Sequence, residues 1–243
     1  MEDALKLDIL AFAAHPDDAE LSCGGTLLSH RAHGYRTGIV DLTQGELGTR
    51  GDADTRLAEA KTAAGILGLS YRHNLRMADG FFLNDREHQL AIIREIRKLR
   101  PEIVLANAIR DRHTDHGKGA ELTAHACFLA GLSRIETFDD AGNPQAAWRP
   151  KNVYHYIQDR HITPDLVVDI SAHWEQKKSA ILAYGSQFWT PDGGGPQTPI
   201  SGQDFLLFLE GRARDMGREI GVTFGEGFTS ARPPGTANLF HLI

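Results

Sequence analysis

Leu7 to Ala14 (LDILAFAA) is a short, almost continuously apolar run, the pattern of a strand covered on both faces in a parallel sheet. The strand gives way at His15 to a polar turn, and from Glu20 the pattern is helical, with Leu21, Leu27 and Leu28 on one stripe and Gly34 placed as a stop. Thr37 to Leu42 reads as a second strand, and the polar loop Thr43 to Gly51 leads to a helix capped by Asp52 or Asp54 and ended by Gly68. A weaker strand at Tyr71 to Leu75 follows. Asp85 caps a helix in which Leu90, Ile93, Ile96 and Leu99 recur every three residues before Pro101, and Glu102 to Ala106 is the next strand.

Strand and helix alternating at this spacing predict right-handed crossovers. The fold class is therefore α/β: a Rossmann-like, doubly wound, mostly parallel sheet flanked by helices. Beyond Pro150 the order loosens. Val153 to Ile157 and Leu166 to Ile170 read as strands, Trp174 to Tyr184 and Asp204 to Ile220 as helices, and Gly193-Gly194-Gly195-Pro196 as a mobile loop. With no composition break and no repeat, residues 1–243 are expected to form a single domain. No G-x-G-x-x-G follows the first strand, so a dinucleotide site lacks its phosphate cradle.

Composition narrows the function. Hydrophobic residues make up 41% of the chain and charged residues 24%, which is enough for one substantial core and excludes disorder or a coiled coil. No apolar run approaches the roughly 20 residues of a membrane span, and Met1, Glu2 and Asp3 supply no basic leader, so a cytoplasmic protein with no membrane partner is expected. A net charge of −6 without a Lys/Arg block argues against nucleic acid. Cys23 and Cys127 read as buried thiols rather than a disulfide framework.

Chemistry concentrates in two segments. Ala14-His15-Pro16-Asp17-Asp18-Ala19-Glu20 follows the first strand and His113-Thr114-Asp115-His116-Gly117 follows the fourth, so both are delivered to the carboxyl edge of the sheet, where open α/β folds bind ligands. Together they offer the imidazole and carboxylate donors that suit Zn²⁺. Two adjacent carboxylates at a buried strand end repel unless a cation or separate partners absorb the charge, so Asp17-Asp18 points to a metal held by one of them. The other is then free to act as a base toward water. His113 is either a further ligand or a proton donor, and Asp115 can orient one of the imidazoles. Arg50, Arg56, Arg110 and Arg112 lie in or beside these loops and are candidate readers of an anionic substrate; Glu46 is a candidate acceptor for sugar hydroxyls. Gly45 and Gly48 permit the turn. Tyr184, Phe188 and Trp189 are expected in the core or a subunit contact, and the other histidines on packing or surface positions.

These segments resemble the LmbE/PIG-L-like zinc-dependent N-deacetylases, in particular the bacillithiol-biosynthesis type acting on N-acetylglucosaminyl-malate. The resemblance is carried by A-H-P-D-D-A-E at 14–20 and H-x-D-H at 113–116, with further matches at Thr43 to Thr49, Thr55 to Ala60, Ala183 to Phe188 and Phe224 to Phe228. It implies one zinc per subunit held by His15, Asp18 and His116, with Asp17 as general base. His113 is implied as a protonated imidazole that stabilises the oxyanion or protonates the leaving amine, and Asp115 as its orienting partner. It further implies a homo-oligomer that releases acetate from a small GlcNAc-derived substrate; Glu46, Arg56, Arg110 and Arg112 stand as substrate-binding candidates by their places in or beside the site loops. Competing readings are an inositol glycoside or chito-oligosaccharide as substrate, a non-haem iron oxygenase built on a two-His, one-carboxylate triad, and a non-catalytic sugar-binding module.

Overall fold

A computed structural model describes residues 5–189 and 195–243 of the chain. Seven strands form one sheet: β1 (Ile9–Ala13), β2 (Thr37–Thr43), β3 (Tyr71–Met77), β4 (Ile103–Ala106), β5 (Asn152–Tyr156), β6 (Leu166–Asp169) and β7 (Gly225–Ser230), in the spatial order β3-β2-β1-β4-β5-β7-β6. β1 to β5 are parallel, and β7 runs antiparallel between β5 and β6. The doubly wound α/β expectation holds.

The apolar run in β1 has a direct cause. Leu10 and Phe12 point into a core shared with Ile92, Ile93 and Ile96 of α3 (Arg86–Leu99), while Ile9, Ala11 and Ala13 meet Cys23 and Leu27 of α1 (Asp18–Ala32) on the other face. Both faces are dry, so nothing polar interrupts the strand. Cys23 and Cys127 are buried free thiols, and Tyr184 and Phe188 are core residues, whereas Trp189 is 38% exposed. The predicted caps close as expected: Asp52 accepts from Thr55 N at the start of α2 (Ala53–Leu67), Gly68 ends that helix at φ 63°, and Asp85 accepts from His88 N ahead of α3. No helix of the described residues is long and apolar enough to cross a membrane. Gly193 and Gly194 of the expected loop lie outside the described residues.

Two elements depart from the sequence expectation. The second polar segment opens a helix, α4 (Thr114–Ala130), in which Gly117, Gly119 and Lys118 interrupt any apolar stripe. β7, with the sequence GEGFTS, has no strand-like composition; it is a strand because it is paired on both sides. Its glycines admit α6 (Asp204–Glu219): a Cβ on Gly225 would stand 2.6 Å from Val167 Cγ1 and 2.9 Å from Gly217 N. Between them Glu226 turns inward and accepts from Gly25 N, Thr26 N and Lys177 Nζ, the last belonging to α5 (Trp174–Leu182).

Candidate active site

The carboxyl ends of β1, β3, β4 and β5 meet at one point. Asn107, just after β4, accepts from Ala14 N at 2.9 Å, and Thr43 at the end of β2 donates to Ala14 O, so the turn after β1 is tied to both neighbouring strands. Asp17 then takes φ 120°, a left-handed conformation costly for any residue with a Cβ and typical of strained functional turns. Because of that twist the adjacent carboxylates diverge. Asp18 faces His15 and His116, whereas Asp17 Oδ2 lies 3.1 Å from Arg56 Nη2.

Each of the two imidazoles has one nitrogen toward Asp18 and the other on an outer carboxylate. His15 Nδ1 is 3.5 Å from Asp18 Oδ2, and its Nε2 is 3.0 Å from Asp79 Oδ1 and 3.6 Å from Asp115 Oδ2. His116 Nε2 is 3.1 Å from Asp18 Oδ1, and its Nδ1 is 2.6 Å from Asp111 Oδ2. A carboxylate on the outer nitrogen fixes the proton there and directs the inner lone pair at a cation, the arrangement that backs metal-binding histidines. Asp18 itself accepts from His15 N, Asn107 Nδ2 and Gln158 Nε2. The two imidazoles and the Asp18 carboxylate, all buried, are donor types that suit a divalent cation such as zinc, and the donor atoms of His15, Asp79 and Asp115 also lie within 4.8 Å of one another. A ring nitrogen of His113 also lies within 4.8 Å of ring nitrogens of His15 and His116.

Charge is arranged accordingly. Burial alone would raise Asp18, but the facing His116 and His15 imidazoles hold it well below the usual carboxylate range. Burial opposes a proton on His116, yet Asp18 and Asp111 push it up to about 9. Asp17 goes the other way: burial raises it to about 7, with Arg56 pulling against that rise. Burial and the two neighbouring imidazoles lower His113.

Several expected roles change. His113 Nδ1 accepts from Asp115 N at 3.3 Å as the N-cap of α4, so a neutral ring carries its proton on Nε2, and the imidazolium oriented by the Asp115 carboxylate is not what the geometry gives. The Asp115 carboxylate instead meets Gly80 N, Lys118 Nζ and the His15 ring. Arg56 lines the cleft but is buried on Asp17, Pro16 O and Gly45 O. Arg112 lines it while paired with Asp159 at 3.1 Å. Arg110 is exposed and does not line the cleft. Glu46 is exposed too, and its carboxylate accepts from Asp79 N and Gln44 N, which ties it to the Asp79 turn. Arg50 bonds Ser186 O and Pro196 O, joining two loops.

Sequence reasoning missed Asp79, Asn107, Asp111, Gln158 and Arg212. The first four stand within five residues of the ends of β3, β4 and β5, so scanning the polar residues that follow each parallel strand would have found them. Arg212, on α6, carried no such signal. Glu20 of the first segment lies under the site, where Arg72 of β3 bonds Glu20 and both oxygens of Asp41, and Tyr184 OH donates to Glu20. Above these groups opens a cleft of about 340 Å³, walled on the far side by Ile200, Phe205, Phe208 and Leu209.

Residues 10–127 match the family model described as PIG-L, GlcNAc-PI de-N-acetylase. The chain is 31% identical over 191 residues to the diacetylchitobiose deacetylase of Thermococcus kodakarensis, covering 74% of this chain and 70% of the relative. It is 26% identical over 253 residues to the 4-oxalmesaconate hydratase of Pseudomonas putida, covering 95% and 91%. Among solved structures, a conserved protein from Thermus thermophilus is similar with a TM-score of 0.83 at 36% identity, covering 96% of this chain and 98% of that one.

Proposed function

The chain belongs to the PIG-L family of de-N-acetylases, and from that premise we propose that it is a zinc-dependent hydrolase that removes the acetyl group from a small N-acetylglucosamine conjugate, with N-acetylglucosaminyl-malate as substrate. The observation that carries the reading is the divergence of two adjacent carboxylates. Asp18 joins His15 and His116 as a ligand set, and Asp17 stays in the cleft beside them with its charge answered by Arg56. Three guanidinium groups line the same cleft; Arg56 and Arg112 are paired with Asp17 and Asp159, and the charge of Arg212, which has no such pair among the described residues, supports an anionic aglycone.

His15, Asp18 and His116 would hold the zinc, which when bound polarises the acetamide carbonyl and acidifies water. Asp17 takes the proton as water attacks; one of its oxygens is held by Arg56, and the other accepts no hydrogen bond from the described residues. A carboxyl raised to about 7 suits that task and the return of the same proton to the departing amine. His113, with Nδ1 occupied by Asp115 N, offers its Nε2–H to the carbonyl oxygen as negative charge develops there. Asn107 and Gln158 keep Asp18 from rotating toward Asp17.

The test is to assay the zinc-loaded protein on N-acetylglucosaminyl-malate for acetate and free amine released in equal amounts, with and without a chelator. Chelator-sensitive release supports the proposal. Absence of acetate, with water added instead to the double bond of an oxalmesaconate, would replace it with the hydratase chemistry named for the Pseudomonas relative.

A further inference from the structure

Three arginines line the cleft, and two of them already face a carboxylate: Arg56 meets Asp17 and Arg112 meets Asp159, each at 3.1 Å. Arg212 does not. Its Nη1 donates to the Gln158 carbonyl and its Nη2 to the Leu21 carbonyl at 3.1 Å, and its guanidinium lies 5.7 Å from the centre of the Phe208 ring. Among the described residues no carboxylate oxygen comes within 4.0 Å of it. Burial lowers its affinity for the proton, with Glu226, Asp159 and Asp111 opposing from a distance.

A guanidinium has five N–H donors, and here two carbonyls engage only part of that set. A half-buried cation tied to carbonyl dipoles and open to a cavity retains donors and charge with which to receive an anion. Phe205, Phe208 and Leu209 line the cleft beside it and present an apolar surface there. Through Gln158, whose carbonyl holds Arg212 and whose amide holds Asp18 and approaches His116 at 3.3 Å, the cation stands at a fixed place relative to the ligand set.

We propose that Arg212 is the specificity residue that receives the anionic group of the substrate's aglycone, a carboxylate or phosphate docking on its free N–H donors. This rests on the reading of the cleft as a site for a charged N-acetylglucosamine conjugate. It assigns to α6 a role that the loop arginines Arg110 and Arg112 do not fill.

The experiment compares the zinc-loaded wild type with Arg212→Gln, which keeps a donor for the carbonyls without the charge, and Arg212→Lys, which keeps the charge without the fork. Substrates are N-acetylglucosaminyl-malate, N-acetylglucosamine 1-phosphate and the neutral methyl N-acetylglucosaminide. Loss of a charge partner should raise KM for the preferred anionic substrate by at least about 30-fold in Arg212→Gln, with a smaller rise in Arg212→Lys and a change on the neutral glycoside at least about tenfold smaller than that on the anion. Equal losses on charged and neutral substrates would reduce Arg212 to a support for Gln158 and overturn the inference, as would a wild type that favours neither anion. A malate preference that survives Arg212→Gln keeps the malate reading and rejects Arg212. A phosphate preference that Arg212→Gln erases does the reverse. If Arg212→Gln fails to fold, Arg212→Lys decides by the same contrast between charged and neutral substrates.

Discussion

His116 and Asp111 stand 2.6 Å apart, Nδ1 to Oδ2, and the same carboxylate receives Arg160 N through its other oxygen at 2.7 Å. The imidazole is thereby fixed in rotation and protonation, with its Nε2 toward Asp18. Replacing Asp111 by Asn should weaken zinc binding by about 10- to 100-fold, because the outer carboxylate makes the inner nitrogen a stronger donor. Competition against a chromophoric chelator measures this. Unchanged affinity would mean His116 needs no such partner.

Asp17→Asn removes the base and no ligand. Zinc content by elemental analysis should stay at the wild-type level while kcat falls by about 10²- to 10⁴-fold. Zinc loss in this variant, with Asp18→Asn retaining metal, would exchange the two roles.

Arg56 favours the ionised form of Asp17, so its removal makes the base harder to form. In Arg56→Met the acid limb of the kcat/KM profile should move to higher pH, since activity requires the deprotonated carboxyl and the opposing charge is gone. A limb that stays in place would show that Arg56 acts on backbone geometry through Pro16 O and Gly45 O alone.

Stripping the metal should leave a protein whose stability depends on His116. Its folded value of about 9 lies above the ordinary 6.5, so the folded state binds the proton more tightly and the stabilisation is full below pH 6.5. It is lost as pH rises through 9. Thermal melts of the chelated protein across this range should show Tm falling, a fall that His116→Gln flattens.

Arg72→Met leaves Glu20 and Asp41 buried without their cation. Breaking a pair of this kind costs about 3–5 kcal/mol, so urea denaturation should show a large drop in midpoint. A midpoint near that of the wild type would place the burden on Tyr184, the remaining donor to Glu20.

What the sequence made legible follows from how local each signal is. The parallel strands announced themselves because both of their faces are dry, and His15, Asp17, Asp18, His113 and His116 stood out because their chemistry is packed into two short stretches. Strand β7 was not legible. Gly225 and Gly227 are explained by the close approach of α6, and Glu226 by bonds to Lys177 and two α1 amides that are 49 to 201 residues away. The outer carboxylates were hidden for the same reason: Asp79 is 64 residues from His15, and nothing local ties them. For the arginines, position in a loop says nothing about whether a guanidinium already has a partner: Arg56 is buried on Asp17, whereas Arg110 is exposed away from the cleft.

The placement of β7 also sets an order of events during synthesis. β6 has no neighbour in the sheet other than β7, and the outer side of β5 waits for the same strand. A chain synthesised through β5 already contains His15, Asp17, Asp18 and His116, whereas the wall formed by α6 and the lock of Glu226 on α1 follow later in the sequence. A nascent chain halted before Gly225 thus holds every proposed metal donor and the α6 residues that wall the cleft, and lacks the strand against which α6 packs.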